Sequence, residues 1–271
     1  MYQMIKIQKI ESLLIDFNVS VIMPFYKKIL EFKKIFPLNY IFFEKRNIEV
    51  IIVMDSADGK NELLEFIQEY PNINWIIIIN YTPHVWRNPA KALNVGIKHA
   101  SKKYIMVCSS ESEMLTDVIY LLRKTFEDYN EYPHYAIGRV CYADNENITY
   151  FNYDNFHNIP FGSIMTLKSN FETIGGYDEM FIEWGGDDNN LRARFNQIGV
   201  NELFLEQAMM IHRDIDNIEG KRRRTLSVEK LSNSQLRHFF YPSSPYPNGK
   251  KWGEDFEDII YDYRDINHKN I

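Results

Sequence analysis

Twenty residues carry the densest chemistry in the chain, Gly175-Gly176-Tyr177-Asp178-Glu179-Met180-Phe181-Ile182-Glu183-Trp184-Gly185-Gly186-Asp187-Asp188-Asn189-Asn190-Leu191-Arg192-Ala193-Arg194. A glycine pair, an aromatic and acidic run, a second glycine pair and two adjacent carboxylates follow one another. Gly185-Gly186 breaks the preceding structure. Asp187 and Asp188 suit the cap or first turn of a helix, where orphan N–H groups favour anions. Leu191, Phe195 and Ile198 then recur on one helical face. Two acids behind a glycine hinge, with Trp184 beside them, make a place where a base meets a flat polar ligand. The same residues also describe a well-capped helix on a loop, and residue types alone leave both readings open.

A second cluster is Cys108-Ser109-Ser110-Glu111-Ser112-Glu113. Glu111 and Glu113 are two apart, so in extended chain both point the same way. Their oxygens suit a hard cation. A solvated acidic turn capping the helix expected from Leu115 is the plainer alternative.

Composition narrows the classes. The chain has 271 residues, 45% of them hydrophobic and 15% aromatic, enough for one large domain or two small ones with a substantial core. A formal net charge of −6 argues against general nucleic-acid binding, which needs a basic footprint. The two cysteines, Cys108 and Cys141, give no disulfide framework or zinc spacing and fit a reducing compartment. Lys6, Lys9, Glu11 and Asp16 interrupt the apolar residues of Met1 to Phe17, which excludes a signal-peptide core or a membrane span there and leads to an expected cytoplasmic location.

These residues need a scaffold. Val19 to Met23 reads as a buried strand, Ile29 to Phe36 as a helix ending before Pro37, and Ile48 to Met54 as a second buried strand closing on Asp55. Leu63 to Tyr70, Pro89 to Ala100 and Leu115 to Phe126 read as helices, and Trp75 to Ile79 and Tyr104 to Cys108 as strands. Strands alternating with helices, several of them continuous apolar runs, predict an α/β fold with a mostly parallel sheet covered on both faces. Ligands then sit beyond the carboxyl ends of the strands, at Asp55, the turn near Pro89 and Ser109–Glu113. After about residue 134 the pattern changes. Tyr135 to Tyr142, Ile148 to Phe151, Phe161 to Leu167, Glu202 to Leu205 and Ala208 to His212 read as strands. The natural division is a nucleotide-binding half over about 18–133 and an acceptor half over about 134–215. A C-terminal extension, 216–271, follows, with Trp252 to Tyr263 expected as a helix packing back on the core.

Several segments, in order, carry a resemblance. Gly175-Gly176-Tyr177-Asp178-Glu179 and Trp184-Gly185-Gly186-Asp187-Asp188 resemble the GG[FY]DE…WGGED segment of GT-A glycosyltransferases, both family 2 and the galactosyl- and N-acetylgalactosaminyltransferases with a related C-terminal half. Val19 to Tyr26 is similar to the VSVIIPTYN opening of family 2, Glu49 to Asp55 to its EIIVVDD strand, and Arg87 to Gly96 to its segment ending in ARN-x-G. Together these cover roughly residues 18 to 212.

The resemblance implies a GT-A, Rossmann-like fold and transfer of a hexose or N-acetylhexosamine from a UDP-sugar, with inversion, to a hydroxyl of a glycan, lipid-linked or protein acceptor. It implies Asp188 as the base, with Asp187 replacing the usual Glu, and Asp55 as the contact to uracil. Pro24, Tyr26 and Asn94 fall on donor-binding segments, and Arg87, Lys91 and Arg213 are candidate partners for the diphosphate. Trp184, Gly185, Gly186, Gly162 and Ser163 fall on segments near the sugar and acceptor. The family holds Mn²⁺ or Mg²⁺ through an acidic DxD, which is altered here. The metal role falls on Glu111 first and Glu113 second, with His212 completing the shell. The altered DxD also admits an inactive nucleotide- or glycan-binding homologue. The sugar and oligomeric state are left open, as is peripheral membrane contact, although the WGGDD segment leans toward the galacto series.

Overall fold

The computed structural model describes residues 16–86, 88–143, 156–157, 164–183, 185–213, 238 and 240–265. The first half alternates strand and helix as the apolar runs predict: β1 Val19–Phe25, α1 Ile29–Asn39, β2 Ile48–Met54, α2 Lys60–Ile67, β3 Asn74–Ile79, α3 Ala90–His99, β4 Tyr104–Val107, β5 Ser112–Met114 and α4 Val118–Asp128. The second half contains β6 His134–Ala143, β7 Phe156–His157, β8 Met165–Leu167, α5 Lys168–Ile174, α6 Asp187–Gln197, β9 Asn201–Arg213 and β10 Asp258–Asp262. All ten strands join one mixed sheet in the order β10-β3-β2-β1-β4-β8-β6-β9-β5, with β7 on β6. The block β3-β2-β1-β4 is parallel throughout.

Continuous apolar strands bury both faces, and the side chains divide by parity. Val19, Val21, Met23, Val50, Ile52, Trp75 and Ile77 join Phe32, Phe36 and Phe66 in a core on one face. Ile22, Ile51, Val53, Ile76 and Ile78 face α3 and, through Phe171 and Phe195, α5 and α6 in the core on the other. Gly96 lets α3 approach closely: a Cβ there would lie 2.5 Å from Ile22 Cγ2 and 2.9 Å from Val53 Cγ2. Pro24 is tolerated in a central strand because it lies past the pairing with β4, which ends at Ile22–Val107.

Some expectations need correction. α1 runs through Pro37 instead of ending before it, so the ring costs one helical bond that burial of Phe32, Ile35 and Phe36 offsets. Glu202–Leu205 and Ala208–His212 are one strand, β9, parallel to β6, with a register shift at Gly138/Arg139. A Cβ at Gly138 would overlap the Ala208 carbonyl, which is why the irregularity falls on a glycine. β5 and α5 were not foreseen. Trp252 to Tyr263 is not a helix: Trp252 and Phe256 do pack on the second core, but β10 adds an antiparallel edge to β3. The strand expected at Ile148 to Phe151, and the start of that at Phe161, lie outside the described residues.

Candidate active site

The strand ends place Asp55 first. Its N–H donates to Phe25 O at 2.8 Å, which ties the residue after β2 to the end of β1. Its carboxylate already has company. Asn80 Nδ2 donates to Oδ1 at 3.1 Å, Trp86 Nε1 donates to Oδ2 at 3.0 Å, and His84 Nε2 lies 3.0 Å from Oδ1. His84 and Trp86 stack with ring centroids 3.8 Å apart, and Tyr26, half-exposed, lies at 6.5 Å from His84. Burial raises the Asp55 carboxyl above its ordinary range, and these donors and the His84 charge oppose that. The result is an acid set among flat aromatic rings, a setting suited to a planar polar ring.

At the end of β4 the chain turns through Cys108–Glu111 into β5, which pairs with β9 so that Ser112 meets His212. Glu111 Oε1 lies 3.6 Å from His212 Nε2 and 3.4 Å from Lys28 Nζ. Burial would raise this carboxyl, but His212, Lys28 and a hydrogen bond from Ser110 together hold it below its ordinary range. Glu113 does not join Glu111. It is buried and takes Arg213 Nε at 2.7 Å and Nη2 at 2.6 Å, so these two expected ligand contacts neutralise each other. Among the described residues no group of three or more His, Cys, Asp or Glu side chains forms a cage for a metal ion. Glu111 and His212 nevertheless fit an open site, one carboxylate and one imidazole whose shell a ligand's oxygens complete. Lys28 is a third charge at this point that the sequence reading missed.

The acid pair sits where the capping rules put it. Gly186 is the N-cap of α6 with φ of 85°, and Gly185 has φ of 93°, both in the region that favours glycine. Asp187 and Asp188 form the first turn, and Leu191 and Phe195 bury the helix against the sheet. Asp187 is buried and its Oδ1 accepts Asn88 Nδ2 at 3.1 Å. Asp188 is only partly buried. Burial raises the Asp187 carboxyl. Burial raises Asp188 well above the carboxylate range, the Asp187 charge adds to this, and Arg192 opposes it.

Other expected donor contacts are placed differently. Asn94 is fully buried: its Nδ2 donates to Tyr177 O and Glu179 Oε1, both at 2.8 Å, and its Oδ1 accepts Tyr177 N–H at 2.6 Å. It clamps the Gly175–Glu179 turn and has no surface for a ligand. Lys91 pairs with Asp255, and its ammonium lies 5.0 Å from the Trp86 ring. Arg87, Trp184, Gly162 and Ser163 lie outside the described residues. Asn80, His84, Trp86 and Asn88 were also missed as site residues. One signal was present: Asn88-Pro89 is an Asn-Pro step at a helix start.

A family model for "Glycosyl transferase family 2" matches residues 20–182, which ends just before the acid pair. No curated protein matches the sequence. Among solved structures, S. aureus TarS aligns with a TM-score of 0.56 and 13% identity, covering 83% of this chain and 44% of that one. A TarS 1-349 structure in complex with UDP aligns at 0.53 and 14%, covering 82% and 69%. The mannosyltransferase PcManGT from Pyrobaculum calidifontis, in complex with GDP-Man and Mn²⁺, aligns at 0.52 and 16%, covering 79% and 65%. The chain thus spans about two-fifths of the full TarS chain and about two-thirds of the mannosyltransferase.

Proposed function

The chain belongs to glycosyl transferase family 2; from that premise we propose that it is a glycosyltransferase that uses nucleotide sugars and moves a hexose or N-acetylhexosamine from a UDP-sugar to a hydroxyl of a glycan, lipid-linked or protein acceptor, with inversion. The observation that carries this reading is the acid pair at the start of α6, joined by Asn88 to the loop that also touches Asp55. In this mechanism Asp188 takes the proton of the acceptor hydroxyl, whose oxygen attacks the anomeric carbon on the face opposite the diphosphate as the bond from that carbon to the diphosphate breaks and UDP leaves with the electron pair. A carboxyl raised by burial is a stronger base than a solvated one, which suits removal of a hydroxyl proton. Trp184, Gly162 and Ser163 belong to this proposal as contacts to sugar and acceptor.

On the donor side, Asp55 accepts the ring N–H of uracil. A carboxylate offers about four acceptor positions, and Asn80, His84 and Trp86 use three of them here. Glu111 and His212 would hold Mn²⁺ or Mg²⁺, which supplies Lewis-acid neutralisation of the diphosphate when bound. Lys28 adds a positive charge to the same place. Glu113, Arg213, Lys91 and Asn94 drop out of the proposed contacts because each is already committed to other residues. No helix among the described residues is long and apolar enough to cross a membrane. A cytoplasmic enzyme, with a leaning to galactose or N-acetylgalactosamine from the WGGDD segment, completes the reading.

The test is release of nucleoside diphosphate from a panel of UDP- and GDP-sugars, with and without Mn²⁺, in the wild type and Asp188→Asn. UDP release that depends on Asp188 supports the reading. UDP binding without turnover of any donor would favour an inactive homologue.

A further inference from the structure

Asn88 is 2% exposed and its polar groups are all used. Its backbone N–H donates to Ile182 O at 3.2 Å, and its Nδ2 donates to Glu183 O at 3.0 Å and to Asp187 Oδ1 at 3.1 Å. Its Oδ1 accepts Ala90 N–H at 3.0 Å and so caps α3. Three of these bonds reach the segment that carries the acids, on both flanks of Gly185-Gly186. A Cβ built on Gly185 would find nothing within 4 Å, so that face of Gly185 is not packed against a neighbour. One side chain on the donor-side loop therefore fixes the hinge in front of the acid pair. It also treats the two acids unequally, giving its N–H to Asp187.

We propose that Asn88 is the positioning residue of the acid pair: its amide pins the hinge and directs the pair's first negative charge to Asp187, which leaves Asp188 as the group that takes up a proton. The proposal rests on Asp188 being the base. A hydrogen bond to a carboxylate favours its charged form, and a charged neighbour disfavours ionisation of the second acid. The groups facing Asp188 are Asp187 and Arg192 on its own helix and Tyr177 on the preceding turn. Arg192 also pairs with Glu202 on β9, so its charge is shared. The Asp187 carboxyl also takes a hydrogen bond from its own backbone N–H, and Asn88 adds to it a direct side-chain bond that Asp187 receives from outside the helix.

The experiment follows the carboxyl carbons of ¹³C-aspartate-labelled full-length protein through a pH titration by NMR, with Asp187 and Asp188 assigned from their Asn variants. Asn88→Ser keeps an oxygen to cap Ala90 N–H and removes both side-chain donors. In the wild type the Asp187 carbon should shift in the lower of two steps and Asp188 in the upper. In Asn88→Ser the two carbons should share the two steps more evenly, because one of the two bonds that favour the Asp187 charge is gone. UDP release from the UDP-sugar turned over by the wild type should fall roughly 10–100-fold, the scale of a misplaced catalytic group. UDP affinity should stay within twofold. In an Asp187→Asn background, adding Asn88→Ser should leave the Asp188 titration where it was. Unchanged step assignments in Asn88→Ser, or an equal loss of UDP affinity, would overturn the inference. Should that variant not fold, Asn88→Thr keeps a hydroxyl oxygen for the Ala90 N–H, lacks the amide donors, adds no charge, and must show the same change in sharing. The titration needs no turnover, so it separates failure here from failure of the base assignment, which Asp188→Asn turnover decides.

Discussion

Replacing Asp188 with Asn tests the chemistry and the energetics of the site together. The change keeps the side chain's shape and removes its proton acceptor. A positioned general base contributes about 10²–10⁴-fold, or roughly 2.7–5.4 kcal/mol of barrier, so turnover should fall by that factor while UDP affinity stays the same. Stability should move the other way. Asp188 is desolvated and stands beside Asp187, and both effects raise its carboxyl well above the ordinary range. The folded state then binds a proton that the unfolded chain has already lost. This contribution lowers stability as pH rises from the unfolded carboxyl's range through the raised folded value, by about 1.4 kcal/mol for each pH unit of displacement. Repulsion from the adjacent Asp187 charge adds to this, and Arg192 returns part of it. Asp188→Asn should therefore gain about 1–3 kcal/mol at neutral pH, roughly 2–10 °C in Tm, and the gain should vanish at acid pH. A helix-capping role gives the opposite sign: anions in a first turn are worth about 0.3–1 kcal/mol, so their removal would lower Tm slightly and spare turnover. Differential scanning fluorimetry across pH, with UDP release on the same samples, measures both. A variant with near-normal turnover and an unchanged or lower Tm would refute the reasoning; Asp187→Asn, the internal control, should lose less turnover.

Asp55→Ala should weaken UDP binding by about 1–3 kcal/mol, the cost of losing a hydrogen bond to a charged group. Calorimetry giving UDP, GDP and ADP equal affinity for the wild type would remove Asp55 from nucleobase recognition. If Glu111 and His212 hold the metal, Mn²⁺ should tighten UDP binding and EDTA should abolish turnover. Full turnover in EDTA, or in Glu111→Ala, would transfer the diphosphate's charge to Lys28 and its neighbours. Gly138→Ala should destabilise the β6–β9 pairing by about 1–3 kcal/mol, because the new Cβ meets the Ala208 backbone and not a yielding side chain; unchanged thermal unfolding would show that the β6–β9 irregularity can relax.

The alternating strands and helices from β1 to α4 were legible because their signal is local. Ile48 to Met54 is apolar enough to need cover on both faces, and β2 has those bounds. The misses have physical reasons too. Pro37 ended the expected helix by a rule about one lost bond, while the aromatic cluster of Phe32, Phe36, Phe66 and Trp75 outweighs it. β5 is three residues long and exists through its pairing with β9, about a hundred residues away. The Trp252 to Tyr263 segment has apolar residues suited to burial but was given the wrong element, because an edge strand needs a partner edge that no local pattern reveals.

The site divides along the same line. Asp187 and Asp188 were legible as a helix start because capping is a matter of a few consecutive residues. The fates of Glu111 and Glu113 were not, since their two-residue spacing promised a common direction. The long-range partner decides instead: Arg213 takes Glu113, while Lys28 and His212 face Glu111. Lys91 and Asn94 follow the same rule, each having its charge or amide met by a segment far along the chain, Asp255 for one and Tyr177 with Glu179 for the other. A polar residue's type states what it can bond, and the fold decides whether that capacity is spent before a ligand arrives. For this chain the unequal treatment of two adjacent aspartates by one asparagine ninety-nine residues earlier is the clearest case, because the residue types of the Asp187-Asp188 step do not reveal which of the two that asparagine will reach.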